Sequence, residues 1–165
     1  MNKFVGETLP IGDLLDPALG QALAYWDSLR SERPFPSRND ISPSGMKSFL
    51  RHVMLIDVSY DPLDFVYRVF GTAIAAAHKE DYTGRSAREL EPKAFSDLIW
   101  QQYCEALECR APILHSVLFV TADHCSKYHR LILPLSRDGA KIDKLLAVSV
   151  EDGKFWDAVA GDHRE

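Results

Sequence analysis

Three cysteines, Cys104, Cys109 and Cys125, are all that the chain contains. An odd number without regular spacing excludes a disulfide framework and points to a reducing compartment. No apolar run approaches the ~20 residues that cross a bilayer. The first seven residues have no signal-peptide core either, so the protein is expected in the cytoplasm, away from membranes. Neither CxxC nor HExxH occurs, which leaves no recognisable metal motif. The Gly-x-Ser-x-Gly elbow of serine hydrolases and the Gly-rich phosphate loop are also missing. Basic residues do not gather into a stripe. Arg30, Arg33, Arg38 and Arg51 are interspersed with Asp27, Glu32 and Asp40, and the net charge is −5. That balance speaks against a nucleic-acid partner.

What is present is the material of one soluble domain with an extension. The 165 residues are 46% hydrophobic and 26% charged, enough to bury a core without staples. Residues 1–16 read as an irregular lead-in. Asp16-Pro17 is a helix start, because Asp caps free amides and Pro suits the first turn. Leu19, Ala22, Leu23, Trp26 and Leu29 then recur on one face of a helix over 17–32. Pro34 and Pro36 end it, and 33–43 form a polar connection. A short helix is expected over 43–50.

Strands are predicted over 53–58 and 65–70 and joined by the turn at 60–63, where Pro62 sets the backbone angle. An Ala-rich helix over 73–79 and a helical turn over 86–90 follow. The longest helix is predicted over 93–109, with Phe95, Leu98, Ile99, Tyr103, Ala106 and Leu107 on its apolar face. Strands over 113–121, 128–135 and 144–150 complete the pattern, the last two joined through Asp138-Gly139. The tail from 161 onward reads as frayed. The fold class is α+β, with a five-stranded antiparallel sheet, short helices, one long helix on one face, and an N-terminal helix over the other. The organisation reads as 1–43 N-terminal helix and connection, 44–152 main domain, and 153–165 tail.

Local motifs carry a resemblance. They are Tyr25-Trp26-x-x-Leu29-Arg30, Pro36-Ser37-Arg38-x-Asp40-Ile41-x-Pro43, Tyr67-Arg68-x-x-Gly71-Thr72, Tyr82-Thr83-Gly84 and Arg130-Leu131-x-Leu133-Pro134-Leu135. In that order they resemble a bacterial, mainly alphaproteobacterial, family of stand-alone PAS-like proteins of undefined function, over roughly 20–152. The resemblance implies a PAS-like fold and a signalling role. It supplies neither catalytic residues nor a ligand.

Cofactor chemistry finds few anchors. Haem-binding PAS domains commonly use a His on the long helix, and 93–109 contains none; His78 is the nearest substitute. Flavin-binding light sensors of this fold carry a Cys soon after the short helices, where this chain has Tyr82 to Ser86. No cofactor, no metal and no catalytic residue is therefore expected. His52, His78, His115, His124, His129 and His163 read as ordinary surface groups. Cys125, with His124 and Lys127 beside it, reads as an exposed loop thiol in a turn.

The candidate ligand site is aromatic. Phe65, Tyr67 and Val69 alternate onto one strand face, and Phe95, Ile99 and Tyr103 share one helix face. If these faces meet, they enclose an apolar space with two phenol hydroxyls. The bland alternative is a filled core. Arg68 points the other way, toward Asp57 and beneath the N-terminal helix. Leu19, Leu23 and Trp26 are the candidate interface of a homodimer.

The expected function is a sensor or regulatory module, not an enzyme. It would bind a small molecule or a signalling protein and pass on the change by association, since 165 residues leave no room for an attached effector. A small α+β enzyme with an apolar pocket and a pure interaction module are the alternatives. An enzyme would need an acid or base in the pocket, and Glu105 and Glu108 both lie off the apolar stripe. The purified protein is expected to be colourless; a Soret band or flavin spectrum at stoichiometric yield would overturn that.

Overall fold

The computed structural model describes residues 2–123 and 125–152. Its elements in chain order are β1 (Lys3–Leu9), α1 (Pro17–Arg30), β2 (Val53–Ser59), β3 (Asp64–Phe70), α2 (Thr72–His78), α3 (Lys93–Cys109), β4 (Ile113–Val120), β5 (Cys125–Leu135) and β6 (Lys144–Asp152). The strands form one antiparallel sheet in the order β1-β4-β5-β6-β2-β3. The two hairpins that the sequence implies at 60–63 and 136–143 are both present. The tail beyond 152 and His124 lie outside the described residues.

The sheet has six strands where five were expected. The lead-in is not irregular: β1 pairs along the whole of β4, with Phe4 opposite Phe119 and Thr8 opposite His115. Its partner lies more than a hundred residues away, so no hairpin signal announces it. Its exposed edge also dilutes the alternation of apolar residues. Gly6 lies directly under α3. A Cβ would stand 2.6 Å from Leu98 Cδ1 and 2.9 Å from Gln102 Nε2, both on α3.

Helix α1 starts as expected, with Asp16 Oδ1 accepting the amides of Ala18 and Leu19 at 2.8 and 3.2 Å. It packs on β5 and β6, and the indole N–H of Trp26 donates to the Pro134 carbonyl at 2.8 Å. Two of the sequence motifs meet in that bond. Leu19 and Trp26 are consequently buried in this chain's own core and are not free to meet a second copy; Leu23 is half-buried. Leu19, Trp26, Phe35 and Ile41 join the same hydrophobic core as the strands, so residues 1–43 are integral to the domain.

The expected helix over 43–50 is replaced by short 3-10 turns, Arg38–Asp40, Pro43–Met46 and Leu50–His52. Serines here satisfy the backbone locally. Ser37 donates its amide and hydroxyl to Asp40 Oδ2 at 2.8 and 3.2 Å.

Helix α3 packs on the opposite face, against β1, β4 and β5. Alternation along β5 sends Tyr128, Arg130 and Ile132 toward α3 and Leu131 and Leu133 toward α1. In β3 the register slips: Leu55 faces Val69, but Ile56 faces Tyr67. Arg68 is the extra residue of a bulge. Phe65, Tyr67 and Phe70 therefore point inward, and Val69 is turned out, 39% exposed. Val69 does not share the face that simple alternation assigns to it. The Asp57–Arg68 pair forms, joined by Lys144, but Arg68 faces solvent and is not covered by α1. Burial would raise the Asp57 carboxyl; the two cations hold it below its ordinary value.

Gly6→Val drives a branched side chain into Leu98 and Gln102. Overpacking of this kind costs about 1–3 kcal/mol. We expect a lower urea midpoint at unchanged slope; a midpoint equal to the parent's would mean that β1 does not seal against α3.

Candidate functional site

The layer between α3 and the sheet holds all five residues of the predicted ligand site. Phe65, Tyr67, Phe95, Ile99 and Tyr103 are each buried. The two faces do meet. The hydroxyls of Tyr67 and Tyr103 are 2.8 Å apart, so each phenol has the partner that burial demands. Phe65 lies edge-on to Tyr103 at 5.2 Å, Tyr67 edge-on to Phe70 at 5.1 Å, and Phe95 against Phe4 at 5.2 Å. Burial pushes the Tyr67 phenol well above its ordinary value and raises that of Tyr103.

A polar group lies inside this aromatic layer that no periodicity predicted. Arg130, in the middle of β5, is 2% exposed. Its Nε donates to Ser149 Oγ at 3.2 Å, Nη1 to Gln102 Oε1 at 2.9 Å and Nη2 to the Tyr128 hydroxyl at 2.6 Å. The guanidinium also stands over the rings of Tyr128 and Tyr103, at 4.9 and 5.9 Å, an attraction between cation and ring quadrupole. Burial opposes its charge, yet the tyrosine oxygens around it hold its proton more firmly than usual. Burial lifts the Tyr128 phenol to about 12. Among the described residues, no carboxylate forms an ion pair with Arg130.

Beside it, across the β4–β5 ladder, is His115. This histidine is 1% exposed and is a core residue, not the surface group expected from sequence. Its Nε2 lies 2.8 Å from Glu105 Oε2, which also accepts from the Thr8 hydroxyl at 2.9 Å. Burial lowers the His115 pKa, and Arg130 adds to that effect against the pull of Glu105. Burial would raise the Glu105 carboxyl; His115 and Thr8 hold it below its ordinary value. Gln102 Nε2, His115 Nδ1 and Ser126 Oγ are buried without a hydrogen-bond partner among the described residues.

Sequence reasoning found the aromatic half of this layer and missed the polar half. Gln102 and Glu105 interrupt or flank the apolar stripe of α3, and a lone Arg or His within a strand carries no spacing signal. The signal that was available is the Arg130-Leu131-x-Leu133-Pro134-Leu135 motif, where Arg130 sits among apolar neighbours.

Elsewhere, the thiol pKa of Cys104 is raised by burial, which makes it less nucleophilic. Cys125 opens β5 and is exposed. No cluster of His, Cys, Asp or Glu among the described residues could hold a metal. On the sheet face away from α3, a groove of about 310 Å³ is lined by Ile41, Met46, Val53, Leu55 and Val69, with Arg38 and Arg51 at its rim. No helix among the described residues is long and apolar enough to cross a membrane.

The profile of the PAS domain family matches residues 15–149. No curated protein sequence matches the chain. A light-oxygen-voltage domain studied with a flavin analogue is 13% identical, with a TM-score of 0.50, covering 73% of this chain and 91% of that one. The Rhodobacter sphaeroides LOV protein is 12% identical, with a TM-score of 0.49, covering 91% and 77%. A PAS domain from Colwellia psychrerythraea is 10% identical, with a TM-score of 0.45, covering 66% and 93%.

The His115 pKa is depressed by folding, so the native state binds fewer protons than the unfolded chain once the pH nears the ordinary value of 6.5. Its stabilising contribution is complete above that pH and is lost as pH falls through the lower, folded value. Glu105, also depressed, extends the loss from its ordinary 4.5 downward. We expect the melting temperature to drop on acidification below about pH 6.5, and His115→Gln to flatten the first part of that drop. An unchanged profile in the variant would assign the acid sensitivity to other groups.

Proposed function

We propose that this chain, which belongs to the PAS domain family, is a cytoplasmic sensory and regulatory module. Its input is read in the layer between α3 and the sheet, and its output is a change in association, either with a second copy or with a signalling protein. The observation that carries this reading is the buried guanidinium of Arg130, ringed by Tyr128, Gln102 and Ser149 with no carboxylate partner among the described residues. A domain that needed only stability would do as well with apolar groups of similar volume there.

Binding is favoured over catalysis. The Cys104 thiol is held in its less reactive form, and the buried imidazole of His115 is already engaged by Glu105. A second reading, an interaction module with a filled core, draws support from the ring-to-ring contacts among Phe65, Tyr67, Phe70 and Tyr103.

The experiment is a thermal-shift screen of neutral, cationic and anionic metabolites, followed by sedimentation velocity with any hit. A ligand that binds only the native state must raise its melting temperature. We expect at least one class to do so and to alter the sedimentation pattern. No shift from any class, together with a large loss of stability in Ile99→Trp, would establish the filled core and leave the surface as the working part.

A further inference from the structure

We propose that Arg130 is the receptor for a small carboxylate that binds within the α3–sheet layer; this deepens the sensory reading and rests on it. An arginine has five N–H donors and cannot shed its charge in a protein. Three of them are used, by Ser149, Gln102 and Tyr128. One N–H on Nη1 and one on Nη2 have no partner among the described residues. Two N–H donors on one edge of a guanidinium are what a carboxylate accepts, and each terminal nitrogen has one to offer.

The electrostatics favour an anion as well. The groups that hydrogen-bond the buried guanidinium, Ser149, Gln102 and Tyr128, bring no counter-charge. Tyr128, Tyr103 and Tyr67 stay protonated at neutral pH, because burial raises the pKa of each. They solvate the guanidinium without neutralising it. The nearest carboxylate in the network, Glu105, is bonded to His115 and Thr8 and not to Arg130. An incoming carboxylate would supply the missing charge.

A further atom points the same way. His115 Nδ1, on the residue opposite Arg130 in the ladder, is buried and has no hydrogen-bond partner among the described residues. It is an acceptor when Nε2–H donates to Glu105. A hydroxyl beside the carboxylate would satisfy it.

The test uses the full chain and sodium acetate, lactate, benzoate and phosphate at constant ionic strength, with chloride as reference. Thermal shift and isothermal titration are run on the parent and on Arg130→Met, whose melting curve and circular dichroism report its fold. The expected result is a saturable rise in melting temperature with at least one carboxylate. In Arg130→Met that rise is lost or the affinity weakens ~10-fold or more. If Arg130→Met does not fold, the readout is the parent's exchange-protected arginine Nε–H resonance, expected to move with the same midpoint as the thermal shift. A response to phosphate alone, a response that survives Arg130→Met, a resonance that stays still, or no saturable response to any salt would overturn the carboxylate assignment. Neutral or cationic hits in the wider screen would then leave the sensory reading standing, whereas its failure requires silence from every class.

Discussion

A charge taken out of water has to be held by something, and in this protein the holding groups come from every part of the inner layer. Arg130 stands at the centre of β5. Its hydrogen bonds reach along its own strand to Tyr128, across to β6 at Ser149, and up to α3 at Gln102. Each bond constrains the element that supplies it. Helix α3 must present Gln102 to the sheet, which sets its rotation. The same rotation turns Tyr103 toward Tyr67 and Phe95 toward Phe4. A side chain at Gly6 would have to displace the ends of Gln102 and Leu98.

The two faces of the sheet are consequently different in kind. The face under α1 is a conventional apolar contact, anchored by the Trp26 hydrogen bond to Pro134. The face under α3 mixes rings with a guanidinium, an imidazole and an amide. Such a layer is high in risk as well as specificity, since partly satisfied polar networks are costly in a low-dielectric interior. Among the described residues, Gln102 Nε2, His115 Nδ1 and Ser126 Oγ are buried without a hydrogen-bond partner. The outer groove, by contrast, carries exposed arginines, Arg38 and Arg51.

Membership in the PAS domain family and the physical reading of the site converge without duplicating each other. The family establishes the fold and suggests a sensory module. It says nothing of what is sensed. The chemistry of the site is particular to these side chains: a buried guanidinium, three phenols whose pKa burial raises, and a histidine held by Glu105.

Much of the chain was legible before folding. Local rules sufficed for α1, with its Asp16 cap and Pro17 start, for the long α3, for the β2–β3 hairpin and for β4 to β6, because each is encoded by neighbours a few residues apart. The five aromatic and aliphatic residues of the predicted site were found for the same reason: period-two and helical spacing place apolar groups on one face. Nothing local encodes a strand whose partner is a hundred residues distant, so β1 emerged only with the sheet. Nor does spacing reveal a bulge, and Arg68 turned Val69 outward against the alternation. The burial of Leu19 and Trp26 was decided by where α1 lands. Above all, Arg130, His115 and Gln102 look like surface residues in sequence. Only the closing of α3 onto β1, β4 and β5 makes them interior, because desolvation is a property of the assembled layers and not of any one segment.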